Sequence, residues 1–154
     1  MIMSKAIMIS IKPKWVAKIL NGEKIIEIRK TMPKCDLPID VYIYCTKQKD
    51  DGLLRLNGKR SYYVKGKVVA RFTLNKVETI TYDSIFKLFS LNRVLYNSCL
   101  KEEELNSYLK GELGYAWRID DLVIFEKPKE LRDFNLTKAP QSYCYVERRI
   151  ELYE

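Results

Sequence analysis

Residues 22–30 read GEKIIEIRK, and four of them, Gly22, Lys24, Glu27 and Arg29, combine a turn former with side chains that bind anions or move protons. An arginine fork can clasp a phosphate or a base edge, and a lysine supplies a point charge. A carboxylate between them has three possible uses: orienting a cation, accepting a hydrogen bond from a base or a ribose hydroxyl, or serving as a general acid or base. Glu27 is the informative residue, because in a groove that only gripped phosphate it would weaken the field around it. Orienting Lys24 or Arg29 is its simplest role.

The elements that must position these side chains follow from the flanking pattern. Pro13 suits the first turn of a helix and Gly22 suits the position just past its end, with Val16, Ile19 and Leu20 forming an i, i+3, i+4 apolar stripe between them. Lys14 and Lys18 fall on the opposite face one turn apart, where like charges cost about 0.2 to 0.5 kcal/mol unless something anionic lies beside them. After Gly22 the chain alternates, Ile26 and Ile28 to one side, Glu27 and Arg29 to the other. The same alternation sets Val41, Ile43 and Cys45 against Tyr42, Tyr44 and Thr46, and makes an apolar row of Val68, Ala70, Phe72 and Leu74, as half-buried strands of an antiparallel sheet would.

Helices are expected around YDSIFKLFSL, with Thr81 or Asp83 as N-cap, and over KEEELNSYLKG, acidic at its start and closed by Lys110 and Gly111. Both read as scaffolding. Strands return in AWRIDDLVIFE and SYCYVERRIEL, with a short helical turn in KPKELRDF that Pro128 could open, while TMPKCDLPID, KDDGLLRLNGKRSYYVKG and DFNLTKAPQ read as loops. Strands broken by helices without regular alternation argue for an α+β fold, a small barrel or strongly bent sheet, as one domain over residues 1–154.

Composition narrows the chemistry. Histidine is absent among the 154 residues, which removes the Ser-His-Asp and Cys-His triads and any zinc site that needs imidazole. No carboxylate cluster has the spacing of a metal site, so neither a metal nor a cofactor is expected. The four cysteines are scattered without a CxxC pair, and the first apolar run, AIMISI, is too short for a signal segment or a membrane span. A reduced, cytoplasmic monomer with no membrane partner is expected. A net charge of +8 favours a polyanion, nucleic acid first.

The order of parts resembles the ASCH domain (activating signal cointegrator homology), a branch of the PUA-like superfamily. The resemblance is carried by Gly22, Lys24, Glu27 and Arg29 directly after the helix that starts at KPKW, and by YIYCTK, GKVVARFTL, GYAWRIDDL and APQSYCYVE in the same order. It implies a PUA-like small mixed or antiparallel β-barrel with flanking helices, and a cleft between the first helix and the barrel where RNA or a modified nucleotide would lie. Lys12, Lys14, Lys18, Lys24 and Arg29 would then converge on the rim of that cleft. Tyr44, and less so Tyr42, could offer a ring for a base to stack on. Ser142 would face the cleft at the start of the last strand, whereas Trp15 and Trp117 read as packing residues.

Whether the cleft also catalyses is left open, with Lys24 and Glu27 as the candidate catalytic residues. Some small bacterial ASCH proteins resemble amidases that deacylate acetylated cytidine with a Lys-Thr-Glu set. Lys24 matches that lysine, but the threonine nucleophile would fall at Glu27, and a carboxylate does not replace a hydroxyl nucleophile without a change of mechanism. A ribonuclease is the other enzymatic option, since phosphoryl transfer asks mainly for positioning and charge. The last alternative is a protein-interaction module with a basic face.

Overall fold

The computed structural model describes residues 4–47, 53–56, 60–80 and 87–148. The chain runs β1 (Lys5–Ile11), α1 (Pro13–Leu20), β2 (Ile26–Arg29), β3 (Ile39–Cys45), β4 (Leu53–Leu56), β5 (Arg60–Tyr63), β6 (Val68–Leu74), β7 (Val77–Ile80), α2 (Lys87–Ser98), α3 (Glu102–Leu109), β8 (Gly114–Arg118) and β9 (Asp120–Lys129), then a 3-10 turn (Leu131–Phe134) and β10 (Tyr143–Glu147). One sheet has five strands in the order β10-β1-β3-β6-β9, a second has three in the order β2-β8-β7, and β4 and β5 pair as a hairpin.

The fold is α+β, as the alternation implied. Of the two sheet types implied, the mixed one is found, and the barrel is not. β1 and β3 run parallel, so the five-stranded sheet is mixed, and α1 with β2 forms the crossover between them. The ladders also stay open and do not close into a barrel: β10 and β9 end one sheet, β2 and β7 the other.

The central strands of the five-stranded sheet are buried on both faces. Ile7, Ile9 and Ile11 of β1 join Val41, Ile43 and Cys45 of β3 and the α1 stripe in one core, while Ala6, Met8, Tyr42 and Tyr44 join Phe125 and Phe134 in another. That double burial is why β1 reads as an unbroken apolar run and not as an alternating one. Val68 leaves its expected row. The β3–β6 register steps from Ile43 opposite Ala70 to Tyr44 opposite Val68, so Val69 is the extra residue of a bulge and Val68 turns to the second core.

The segment taken as a loop at 49–66 contains the β4–β5 hairpin. The second helix is described from Lys87 and runs to Ser98, past the end of YDSIFKLFSL, while the first residues of that segment and the N-cap candidates Thr81 and Asp83 lie outside the described residues. Pro128 sits in β9, an edge strand where its missing N–H costs no pairing, and Glu130 caps the 3-10 turn instead.

The smaller sheet positions the chemistry. Ile26 and Ile28 pack under Val94, Leu105, Leu109 and Ala116, so α2 and α3 cover that face and Glu27 and Arg29 are driven to the other, opposite Trp117 and Tyr115 of β8. α1 ends as its sequence indicates. The Asn21 and Gly22 N–H groups bond back to Ala17 and Ile19, and Gly22 takes φ +78. The Lys18 carbonyl then accepts both Glu23 and Lys24 N–H groups, which fixes the approach to β2. A Cβ on Gly22 would touch nothing within 4 Å, so Gly22→Ala should cost only the left-handed backbone penalty, about 1 to 2 kcal/mol. Urea unfolding checks this. A neutral result would mean that the turn does not hold this geometry.

Candidate functional site

Lys24 follows Gly22 into the end of α2. The last carbonyls of a helix lack intrahelical donors, and Lys24 Nζ donates to the Ser98 carbonyl at 2.7 Å while Ile25 N–H donates to the Asn97 carbonyl. Its ammonium also lies 3.4 Å from Glu27 Oε1 and 5.0 Å from the centroid of the Trp15 ring. Lys24 is therefore 2% exposed, a buried cation and not a rim charge.

Glu27, at 7% exposure, joins that cation to a second. Arg29 Nη2 reaches Glu27 Oε2 at 3.1 Å and the Ser10 carbonyl at 2.7 Å, and Nη1 donates to Ser142 Oγ at 3.2 Å. Of the five N–H groups of the guanidinium, three are thus engaged by the protein itself. Among the described residues no buried side-chain N or O atom lacks a partner. The Ser98 carbonyl, Lys24, Glu27, Arg29 and the Ser10 carbonyl form one continuous chain of charge-assisted bonds.

Glu27 and Arg29 lie at a cavity of about 280 Å³, lined also by Ser10, Ile11, Lys12, Trp15, Ile28, Thr46, Leu100, Tyr108 and Gln141. It is bounded by the end of β1, the start of α1, β2, the residue after β3, α3 and the approach to β10. Tyr108 is half in the wall. Burial raises its phenol above the usual 10.0, so it is a protonated donor at neutral pH, with the Lys30 ammonium 5.0 Å from its ring.

The sequence candidates divide accordingly. Lys12, Glu27 and Arg29 line the cavity, and Ser142 stands one bond behind it through Arg29. Lys24 lies beneath the floor. Lys14 pairs with Glu104 at 3.8 Å and Lys18 with Glu23 at 3.5 Å, so the anions that relieve their mutual repulsion come from this chain, and neither lines the cavity. Tyr44 is 4% exposed and Tyr42 fully buried, both in the second core, which removes them as stacking surfaces. Trp15 and Tyr108 are the aromatic residues that line the cavity, although one read as packing and the other as part of a scaffold helix. Ser10, Thr46 and Tyr108 come from distant points of the chain, and no local pattern marks them. Among the described residues no group of His, Cys, Asp or Glu could hold a metal ion, and no helix is long and apolar enough to cross a membrane.

Burial lowers the Lys24 ammonium below the ordinary lysine value of 10.5 and outweighs the opposing pull of Glu27. The folded protein therefore releases this proton more readily than the unfolded chain. Between the lowered value and 10.5 the unfolded state binds more protons, and the contribution of this group to stability rises with pH. Lys24→Met, which strands Glu27 and the Ser98 carbonyl, should cost about 3 to 5 kcal/mol near neutrality. The gap to the native chain should widen as pH climbs through that window. Denaturant midpoints across pH give the comparison, and a narrowing gap would contradict the lowered value.

No family model matches this sequence, and no curated protein does. Solved structures do. The crystal structure of ASCH from Zymomonas mobilis has a TM-score of 0.65 at 20% identity over 91% of this chain and 86% of that one. A mutant form of the same protein scores 0.66 at 20% identity, over 92% and 90%. Identity at that level speaks for the fold alone, and on that ground the chain folds as an ASCH domain.

Proposed function

We propose that the cavity between α1 and the smaller sheet binds RNA or a modified nucleotide by taking one base inside and leaving the phosphate at the rim. The observation that carries this reading is the carboxylate of Glu27 on the floor. A phosphate presents only acceptors and would meet that charge. A base edge presents both donors and acceptors, which suits the remaining lone pairs of Glu27 and the unengaged N–H groups of Arg29. Trp15 and Tyr108 supply faces for the ring, and a cavity of about 280 Å³ suits one nucleoside better than a duplex. Lys12, with no carboxylate partner among the described residues, is the cation left for phosphate.

The ASCH resemblance and the charge of +8 support the same reading, with residues 1–154 acting as one PUA-like domain in the cytoplasm. The basic cleft envisaged from sequence shrinks to a cavity of mixed polarity. A hydrolase acting on nucleosides or RNA has one observation in its favour, the lowered proton affinity of Lys24 beside Glu27. Against it, the Lys24 amine is committed to Ser98 and Glu27 beneath the floor.

Labelled single-stranded RNA titrated by fluorescence anisotropy tests the binding reading. Log K should fall with log salt at about −0.7 per phosphate contacted, and Lys12→Ala should reduce that slope by one contact. Trp15→Ala should weaken binding by about 1 to 3 kcal/mol, the worth of one stacked base. Lys127→Ala with Arg132→Ala, both outside the cavity, should change little. Equal losses from both sets would leave only diffuse attraction. Turnover of acetylated cytidine or RNA that Glu27→Gln abolishes would favour the hydrolase.

A further inference from the structure

The cavity has a continuation. Gln141 lines it, Ser142 receives Arg29, and the next residues on one face of β10 are Tyr143 and Tyr145. The Trp117 and Tyr143 ring centroids are 5.2 Å apart and those of Tyr143 and Tyr145 are 6.2 Å apart, each pair edge to face. Trp117 is the directly paired neighbour of Glu27 across the smaller sheet. An unbroken row of rings thus leads from Trp117, fully buried beside Glu27 and behind the cavity lining, to Tyr145, which is 38% exposed.

Charge follows the same line. The Lys5 ammonium lies 4.8 Å from the Tyr145 ring centroid, and the exposed Lys34 gives its backbone N–H to the Tyr145 hydroxyl at 3.0 Å. Glu147, next on that face and opposite Lys5 in the β1–β10 register, supplies the negative charge that ends the row. From Tyr143 to Tyr145 the strand advances about 7 Å at 3.3 Å per residue, a step suited to the nucleotides next to the one in the cavity.

Resting on the reading above, we infer that Tyr145, with the Lys5 ammonium beside its ring and the Lys34 backbone N–H on its hydroxyl, is a second stacking platform, and that single-stranded RNA leaves the cavity along the β10 face. A ring exposed beside cations is the surface that binds unpaired bases without selecting among them, because every base has a face and every nucleotide a phosphate. An acidic peptide could use the lysines but would gain little from the ring.

The tyrosines also hold the loop before β3, since the Tyr143 hydroxyl donates to the Met32 carbonyl at 3.2 Å and the Tyr145 hydroxyl accepts from Lys34. Tyr145→Phe keeps the ring and loses that tie, whereas Tyr145→Ala loses both. Binding of mononucleotides and of oligoribonucleotides two, three and four units long is measured by calorimetry for the native chain and both variants. In the native chain, lengthening from one to three units should tighten binding about tenfold, the scale of one added stack. Tyr145→Phe should keep that gain, Tyr145→Ala should lose it, and Lys5→Ala should reduce it, with mononucleotide binding unchanged in all three. No gain with length, or equal loss in the Phe and Ala variants, would overturn the platform. Failure of mononucleotides and oligonucleotides alike would overturn the cavity reading with it.

Discussion

A single carboxylate with a cation on each oxygen, the buried Lys24 and the partly buried Arg29, is the constraint on which the rest depends. Glu27 takes Lys24 on one side and Arg29 on the other, and each cation ends on a backbone carbonyl, Ser98 at the close of α2 and Ser10 in β1. Desolvating an ion costs several kcal/mol unless partners replace its water. Here each member is a partner of the next, so none can be removed alone without stranding another. The chain of ions therefore ties together elements from both sheets and the second helix, and it does so at the edge of the cavity.

The same arrangement explains where the positive charge of the sequence goes. Lys14 and Lys18 stand on the exposed side of α1 and are answered by Glu104 and Glu23, Arg93 is paired with Glu78, and Lys67 with Glu130. Such exposed pairs contribute little to stability, but they spend charge locally. The charged residues that line the cavity are Glu27, Arg29 and Lys12, with the buried Lys24 beneath the floor sharing the single charge of Glu27 with Arg29. The site is selective in its hydrogen bonding more than it is electropositive.

Much of the local structure was legible because it depends on near neighbours. Pro13 and Gly22 bracket α1, and the alternation of IIEIR places Ile26 and Ile28 in the core with Glu27 and Arg29 together on the other face. What the pattern misses is which layer lies against each face. Tyr42 and Tyr44 alternate correctly but pack on Phe125 and Phe134 where a stacking face was the alternative, because β3 is a central strand of a sheet covered on both sides there. Lys24 follows the same logic: a lysine after a turn is ordinarily solvated, and only the orphan carbonyl of Ser98, 74 residues away, draws it inside. Trp15 and Tyr108 face the cavity for the same long-range reason, and apolar spacing along a helix cannot distinguish a wall from a core.

The buried chain also decides how the cavity meets a ligand. Lys and Arg side chains normally lose considerable rotamer freedom when a ligand immobilises them, which subtracts from affinity. Arg29 is already fixed by Glu27, Ser10 and Ser142, and Glu27 by two cations, so their ordering is complete before anything arrives. The remaining donors and lone pairs keep fixed directions. A rigid floor of this kind gains less from raw charge than a mobile lysine rim would, and more from a partner whose hydrogen-bonding edge matches it, which is why Glu27, and not the surrounding lysines, is the residue that gives the site its character.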